Sequence, residues 1–529
     1  MKRKISLISI WIAIALLTAS LFAMVGCKSS QENKKKKESI SLTIEVYDRN
    51  AVRTVEYGSV SDNRWTEQIK KRVKQELGIE VQFRAVHRNA DVQELKQQAE
   101  EGLDIFFTYD EMEFQTLAQD GVAADFTEEL NQKDSRIRDL LGDEILGYGQ
   151  IDGHQYAVNG KRLTTPLLCS YIRMDWLEEL GIELPEKDGH YYITPSQLKE
   201  ALLAMKENGY CQYPYGFLAD YRCIQPIEGA FVTQEAVRSE VEKSQTLGNY
   251  LCGMDGDRDA WEFLNQCYLQ ELISPEFAGK DQDDLQEEIA EEECGFWSYL
   301  QWGFMEKGSA FTQIYEKNPE ADIQPIEICH EDTTPAYYQK YRPIAAYIMI
   351  SSSCKQIQEA LKYIEWLLSE EAHILLWHGI QGEHWNYDET GAIQPIDSEY
   401  NYKSRIDVLD LDMLLLDDPC LSGDYGDAAL MQFVEIQKDP CCFKQYIEAG
   451  EIATGEGKWE VPYSGRIIES EILYKDVIEK NLEQFTIKCI MAKEDYFDAV
   501  YHTALKQLMM EGGQLVLDEK RAAFESASE

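Results

Sequence analysis

Apolar residues near the start of the chain follow two different periods. Four of them alternate with polar residues, as in a half-buried β-strand: Ile40, Leu42, Ile44 and Val46. The next apolar positions recur every four residues, as on one face of an α-helix: Trp65, Ile69, Val73 and Leu77. Gly78 is predicted to end this helix, and a second strand begins at Ile79. Strands that alternate with helices predict an α/β fold whose parallel sheet is covered by helices.

A third strand is predicted over residues 103–108, and polar residues follow it at the edge of the sheet. Tyr109 and Asp110 come directly after this strand, and Asp48 lies at the end of the first one. The carboxyl ends of parallel strands meet at one edge, where α/β proteins commonly bind ligands. Tyr109 and Asp110 are therefore candidate ligand-binding residues.

The same alternation continues in a second region of the chain. An apolar run over residues 167–172 predicts a buried strand. Thr194, Pro195 and Gln197 predict a helix start, because they supply an N-cap, a proline at the first helical position and a capping-box partner. No Ser/Gly-rich or Pro-rich linker separates the two regions, which favours two lobes wound into one body.

The last third of the chain returns to the strand pattern before it becomes mainly helical. Residues 341–350 predict a buried strand, and the apolar positions of residues 357–368 predict the core face of a helix. A loop over residues 378–385 then brings Glu383 and Trp385 together with other groups that can form a site.

The amino terminus has the layout of an export signal. Lys2, Arg3 and Lys4 precede an uncharged stretch that ends at Gly26-Cys27. The segment resembles a bacterial lipoprotein signal, which implies a signal peptide over residues 1–26, a diacylglyceryl group on Cys27 and a flexible tether over residues 27–39. The protein would then be lipid-anchored at the extracellular face of the cell membrane. The alternative is a plain amino-terminal membrane helix.

Composition narrows the classes of partner. The 529 residues carry a formal net charge of −44, so nucleic acid is excluded as a partner by repulsion from phosphates. The length suggests two or three domains. Thirteen cysteines show no CxxC pair and no zinc spacing. Those other than Cys27 could be buried thiols or disulfides, and the sequence leaves both open.

Several short blocks, taken in order, resemble the extracellular solute-binding proteins of family 1, the lipoprotein components of ABC importers associated with saccharide uptake. These blocks lie at residues 153–158, 171–181, 351–369, 378–385 and 488–497. Gln381 stands where the loop of the family has a glutamate, which leaves Glu383 as the nearby carboxylate.

The resemblance implies an α/β, two-lobed periplasmic-binding-protein-like type II fold with an interlobe ligand cleft. The first lobe would comprise residues 40–165 plus 345–395, and the second residues 166–344 plus 396–529. Hinges near residues 164–168 and 341–347 would let the lobes close over the ligand. It also implies a monomer that hands a small molecule to ABC permease subunits. The chain has no GxxxxGK[ST] loop, so the ATPase would be another polypeptide.

Saccharide binding requires aromatic faces for the apolar side of a sugar ring and polar groups for its hydroxyls. The side chains predicted to supply them are Tyr109, Asp110, Trp297, Trp302, Tyr347, Glu383 and Trp385. Core packing is the alternative role for each aromatic residue. Asp255-Gly-Asp-Arg-Asp259 is similar to the start of an EF-hand, but Ala260 and Gln266 replace the turn glycine and the bidentate glutamate, so no metal is predicted.

Two other functions are compatible with these residues. One is a surface carbohydrate-active enzyme that uses paired carboxylates, although no GxSxG or HExxH motif supports hydrolysis. The other is a lipid-anchored sensor co-receptor, which would bind the ligand in the same way but signal instead of delivering it. The sequence predicts a binding protein with no catalytic residues and no cofactor.

Overall fold

The computed structural model describes residues 40–48, 59–87, 90–132, 136–162, 165–233, 235, 246–305, 308–387, 393–396 and 442–527. Residues 1–39, which include the predicted signal peptide, Cys27 and the tether, lie outside this described part. None of the described helices is long and apolar enough to span a bilayer.

The strands form two main sheets and three small pairs. In chain order the strands are β1 (Ile40–Asp48), β2 (Ile79–His87), β3 (Ile105–Thr108), β4 (Gln150–Ile151), β5 (His154–Gln155), β6 (Ala157–Lys161), β7 (Leu168–Arg173), β8 (Glu186–Lys187), β9 (His190–Ile193), β10 (Tyr215–Gly216), β11 (Phe296–Leu300), β12 (Ile323–Ile328), β13 (Tyr338–Gln339), β14 (Ile344–Ile350), β15 (Trp385–Tyr387), β16 (Ile393–Pro395) and β17 (Lys458–Trp459). One main sheet has the order β2-β1-β3-β14-β6 and the other β10-β11-β7-β12-β9-β8.

Helices cover these sheets and continue to the end of the described chain. They are α1 (Arg64–Glu76), α2 (Val92–Glu100), α3 (Glu111–Gln119), α4 (Thr127–Leu130), α5 (Ile137–Gly147), α6 (Met174–Glu179), α7 (Pro195–Glu207), α8 (Tyr221–Glu228), α9 (Asp257–Leu269), α10 (Gln282–Ala290), α11 (Ala310–Lys317), α12 (Ile357–Leu367), α13 (Glu370–His378), α14 (Phe443–Thr454), α15 (Glu469–Ile490), α16 (Phe497–Leu508) and α17 (Gln514–Ala527).

The first lobe is built as the hydrophobic pattern predicts. β1 pairs in parallel with β2 and β3, and the alternating residues Leu42, Ile44 and Val46 are buried. Helix α1 ends at Glu76, and Gly78 has a φ of 72°, which glycine adopts without steric cost. The late strand β14 enters this sheet antiparallel to β3 and β6. The sequence therefore predicted these strands, but it did not predict their order in the sheet.

Each main sheet has its own hydrophobic core, and the two cores define the lobes. The first-lobe core draws on residues 42–158 and 344–376. The second-lobe core draws on residues 167–338 and 442–516, so the carboxyl-terminal helices pack on the second sheet. The exact lobe boundaries and the hinge positions remain predictions.

Three stretches of the chain lie side by side: the first and second passages between the lobes, near residues 162 and 342, and a third passage, residues 461–467, in which the carboxyl-terminal region runs along the first lobe. At the first, the backbone N–H of Arg162 donates to the carbonyl oxygen of Pro343 at 2.9 Å, which joins the first passage to the second. At the third, the carbonyl oxygens of Val461 and Pro462 accept hydrogen bonds from the Arg342 guanidinium at 2.7 and 3.1 Å. The passages thus form one wall of the space between the sheets.

Candidate functional site

A cavity of about 460 Å³ lies between the lobes. The first lobe contributes the turn after β3 and part of β14, the passages contribute residues around Arg162 and Arg342, and the carboxyl-terminal region contributes helix α15. The aromatic and charged side chains that line it are Tyr109, Asp110, Glu111, Arg162, Tyr341, Arg342, Tyr347, Glu471, Lys475, Glu479 and Lys520. A cavity of this size accommodates a small molecule.

Tyr109 and Asp110 lie at this cavity because β3 ends at Thr108. Tyr109 is 37% exposed and packs edge-on against the rings of Tyr47 and Phe107, with centroid distances of 5.7 and 5.6 Å. The Asp110 carboxylate caps α3, accepting hydrogen bonds from the backbone N–H groups of residues 112 and 113. It also pairs with Lys475 of α15 at 3.0 Å. Asp110 therefore links the first-lobe sheet to the carboxyl-terminal region.

Tyr347 lies on β14 beside these residues. Its ring stacks on Phe114 with a centroid distance of 4.5 Å, and only 3% of the residue is exposed. The Tyr347 hydroxyl lies 3.5 Å from Arg342 Nη1. Burial raises the pKa of this phenol, so Tyr347 presents a neutral hydroxyl to the cavity.

Arg342 is a cation of the cavity wall that makes both hydrogen bonds and an ion pair. Besides its bonds to the two carbonyls of the third passage, it pairs with Glu111 and lies near the rings of Tyr148 and Tyr463, 5.7 and 5.6 Å from their centroids. Burial alone would lower the pKa of Arg342, but Glu111 raises it above the ordinary value. This guanidinium therefore stabilises the cavity wall.

Arg162 differs from Arg342 because it has no carboxylate partner among the described residues. Its Nε donates to the carbonyl oxygen of Ile344 at 2.9 Å, and its guanidinium carbon lies 3.9 Å from the ring centroid of Tyr341. Burial lowers the pKa of Arg162 below its ordinary value. Among the described residues of the cavity, Arg162 is thus a half-buried cation without a compensating anion.

A smaller cavity of about 270 Å³ adjoins the larger one and shares Tyr109 and Asp110 with it. Glu45 of β1 lines this cavity although the residue is only 1% exposed, and one of its oxygens accepts a hydrogen bond from the Phe107 N–H at 3.0 Å. Burial raises the pKa of Glu45 to about 8. Glu113, another lining residue, also has a raised pKa because of burial. Because its pKa is about 8, the Glu45 carboxyl group keeps its proton at neutral pH.

The structure brings together three of the seven residues predicted to bind ligand, namely Tyr109, Asp110 and Tyr347. It places Trp297 elsewhere: this residue of β11 is fully buried in the second-lobe core and stacks on Tyr171 at 5.8 Å. An indole in that position contributes to packing, and it lines neither of the two cavities.

The other three predicted residues also lie outside both cavities. Trp302 is 37% exposed in the turn after β11. Trp385 is 4% exposed, and its indole N–H donates to the carbonyl oxygen of Gly379 at 3.1 Å. Glu383 is half-buried in the turn before β15. Trp385 is thus fixed within its own loop, and that loop does not reach the cavity between the sheets.

Sequence reasoning missed the charged residues of the passages and of α15. Arg162 directly follows β6, and Arg342 precedes β14 by two positions, so both lie at strand ends. Their positions next to strand ends could have identified them, because Tyr109 was predicted from its position after a strand. Lys475 gave no such signal, because it lies within helix α15 and far from the other residues in sequence.

The segment that is similar to an EF-hand forms the start of helix α9. The buried carboxylate of Asp257 accepts hydrogen bonds from the Gly253 N–H, the Trp261 indole N–H and the Tyr501 hydroxyl at 2.7, 2.7 and 2.6 Å. Asp257 is therefore engaged by donors of the protein itself. Within the described ranges, no cluster of three or more His, Cys, Asp or Glu side chains could hold a metal ion. Nine described cysteines are free thiols, and all of them except Cys211 are buried: Cys169, Cys211, Cys223, Cys252, Cys267, Cys294, Cys329, Cys354 and Cys489.

No family model and no curated protein sequence matches the chain. Solved structures do resemble it. The alginate-binding protein AlgQ2 has 14% identity and a TM-score of 0.60, over 92% of this chain and 98% of its own. FusA, an ABC-transporter substrate-binding protein of S. pneumoniae solved with fructo-nystose, has 14% identity and a TM-score of 0.59, over 92% and 99%.

An HMO-binding, ABC-transporter-associated solute-binding protein from Bifidobacterium longum infantis has 14% identity and a TM-score of 0.61, over 92% of this chain and 99% of its own. At this level of identity the likeness establishes the fold. The chain therefore has the two-lobed α/β fold of ABC-transporter solute-binding proteins.

Proposed function

We propose that this protein is the substrate-binding component of an ABC importer and that it captures a saccharide or a short oligosaccharide between its lobes. The observation that carries the proposal is the cavity of about 460 Å³, because aromatic and polar side chains from both lobes and from the passages line it. The similar solved structures support the proposal, since they are an alginate-binding protein, a protein in complex with fructo-nystose and an HMO-binding protein.

The side chains of the cavity suit the two surfaces of a sugar. Tyr109 and Tyr341 present aromatic rings that can cover the C–H face of a pyranose or furanose. Asn249 and Gln339 can exchange hydrogen bonds with ring hydroxyls. In the proposed cycle the lobes close over the ligand by bending at the passages, and the closed form is then recognised by the permease.

The binding proposal is tested with a thermal-shift screen against neutral and acidic mono- and oligosaccharides, since a bound ligand raises the melting temperature by mass action. For any sugar that binds, Tyr109→Ala should weaken binding by about 1 kcal/mol or more in calorimetry, because it removes an aromatic face. Tyr496→Ala is the matched control, since Tyr496 is 63% exposed and does not line the cavity. Equal affinities of the two variants would remove Tyr109 from the site.

The two other functions predict different results with the same sugars. A carbohydrate-active enzyme would convert a bound oligosaccharide to shorter products, which chromatography after a long incubation would reveal. A sensor co-receptor would leave uptake intact when the protein is deleted. Unchanged oligosaccharide together with lost uptake supports the importer.

We also propose that the protein is held at the outer face of the membrane by acyl chains on Cys27, within a signal of the lipoprotein type. Two chains give lasting attachment where one is marginal. Cys27→Ala should move the protein out of the membrane fraction in cell fractionation and leave its affinity for sugar unchanged. Retention of the variant in the membrane would support a plain membrane helix instead.

A further inference from the structure

We infer that Arg162 binds an oxyanion of the ligand, so that the preferred saccharide is acidic and carries a carboxylate or a sulfate ester. This inference rests on the proposed saccharide-binding function and specifies the class of sugar. It is carried by the charge balance of the cavity and by the position of the Arg162 guanidinium.

Four basic and four acidic side chains line the cavity, and most of them neutralise one another. Three ion pairs join six of them: Arg342 with Glu111, Lys475 with Asp110, and Lys520 with Glu471. Of the two that remain, Glu479 is exposed on α15 and is solvated. Arg162 is the other; it is half-buried and has no ion-pair partner in the described part of the chain.

Arg162 is also held in one orientation before any ligand arrives. Its backbone N–H and its Nε donate to the carbonyl oxygens of Pro343 and Ile344, each at 2.9 Å, and the guanidinium lies 3.9 Å from the Tyr341 ring centroid. The Nε bond occupies one edge of the guanidinium, and the Tyr341 ring covers one of its faces. The terminal nitrogens lack an acceptor among the described residues. A carboxylate or sulfate can accept from both of them at once, which a single sugar hydroxyl cannot.

Arg162 is half-buried, and its terminal nitrogens are not among the buried atoms, so a ligand anion can reach them and form charge-assisted hydrogen bonds in a partly desolvated site. The pKa of Arg162 is lowered by the same burial, yet a guanidinium remains charged at neutral pH. The net charge of −44 repels an acidic sugar at a distance, but salt screens such repulsion beyond about 8 Å at physiological ionic strength. The local contact with Arg162 therefore decides the selectivity.

The test compares each acidic sugar with a matched neutral form. The probes are trigalacturonate with its carboxyl-reduced counterpart, and a sulfated chondroitin oligosaccharide with its desulfated, carboxyl-reduced counterpart. Calorimetry is performed on the unmodified protein, on Arg162→Gln and Arg162→Lys, and on Lys74→Gln as a control. Lys74 lies on α1 with 64% of its side chain exposed, so the control removes the same charge away from the cavity.

At least one acidic probe should bind the unmodified protein about 10- to 100-fold more tightly than its neutral counterpart. Arg162→Gln should abolish this difference, Arg162→Lys should restore part of it, and Lys74→Gln should leave it unchanged. The pair that shows the difference identifies the anion as carboxylate or sulfate. Melting curves of the variants report whether they fold, and the comparison on the unmodified protein does not depend on them.

Three results would overturn the inference. Equal or tighter binding of the neutral forms, or an equal loss of both forms in Arg162→Gln, would refute the role of Arg162 and leave the saccharide function intact. If no saccharide of either kind binds, the proposed function fails, and the inference that depends on it fails as well.

Discussion

At the scale of single residues, Glu45 is a polar residue that the alternation in β1 predicts to be exposed but that the structure buries. The alternation in β1 places Glu45 between Ile44 and Val46, as a polar residue on the solvent face would be. In the structure it is 1% exposed, because β1 lies between β2 and β3 and other parts of the lobe cover both of its faces. A carboxyl group in that position stays protonated, since burial raises its pKa to about 8.

Glu45→Gln should therefore change how stability depends on pH. The folded state keeps the Glu45 proton between the ordinary pKa of 4.5 and about 8, whereas the unfolded chain loses it. The free energy of unfolding thus falls as the pH rises through this window, and glutamine removes this contribution. Relative to the unmodified protein, Glu45→Gln should gain about 1 kcal/mol or more between pH 5 and pH 8 in urea denaturation.

The control for this experiment is Glu80→Gln on the neighbouring strand β2, where 45% of the glutamate side chain is exposed. It removes a carboxylate from the same sheet without removing a buried proton. If both variants show the same pH dependence as the unmodified protein, Glu45 is not the group that titrates.

At the scale of elements, the start of helix α7 is a case in which a short sequence was sufficient. Thr194 accepts a hydrogen bond from the Gln197 N–H, and the Gln197 side chain accepts one from the Thr194 N–H, so the predicted capping box is confirmed. Pro195 occupies the first helical position, also as predicted. Such caps depend on residues three positions apart, and local sequence therefore determines them.

Thr194→Ala should lower the free energy of unfolding by about 1 kcal/mol, because it leaves a backbone N–H at the start of α7 without its acceptor. Chemical denaturation followed by circular dichroism measures this change. Thr454→Ala removes the same hydroxyl at the carboxyl end of α14, where it donates to the Gly450 carbonyl, and should cost less. Equal losses in the two variants would mean that the cap contributes nothing specific.

At the scale of the whole molecule, Arg342 connects the second passage to the first lobe and to the third passage. It lies in the second passage, pairs with Glu111 of the first lobe and donates to the carbonyls of the third passage. These partners are separated by more than one hundred residues in sequence. Only the folded chain brings them together, and the same arrangement forms the wall of the candidate site.

Arg342→Met should lower the free energy of unfolding by about 2 kcal/mol in denaturant titrations. It removes the cation that pairs with Glu111, whose side chain is 30% exposed, and the hydrogen bonds donated to the carbonyls of Val461 and Pro462. Arg466→Met is the matched control, because Arg466 pairs with Asp152 on the surface, with side-chain exposures of 44% and 55%. An exposed pair of this kind contributes about 1 kcal/mol or less. A smaller loss for Arg342→Met than for Arg466→Met would contradict this role.

The sequence predicted most of the fold. Of the residues now proposed to contact the sugar, it predicted Tyr109 but not Arg162, Asn249, Gln339 or Tyr341. Hydrophobic periods, caps and strand ends are local, so they identified β1, β2, α7 and the site positions Tyr109 and Asp110. The aromatic content did not distinguish a core residue from a cleft residue. Trp297 and Tyr347 are both aromatic residues within strands, yet only Tyr347 lines the cavity. The difference depends on which face of each sheet meets the other lobe.

The sequence by itself determined the α/β class, the export signal that we propose, and the edge of the first sheet where a ligand would bind. These features depend on neighbouring residues, whose spacing fixes their geometry. Only the tertiary structure decided the composition of the cavity, because its charges come from the start of helix α3, the two passages at Arg162 and Arg342, and helices α15 and α17. It also decided that Arg342, Lys475 and Lys520 are paired, whereas Arg162 has no carboxylate partner in the part of the chain that the structure describes. Such pairing depends on contacts between segments that are distant in sequence, and no local pattern encodes it.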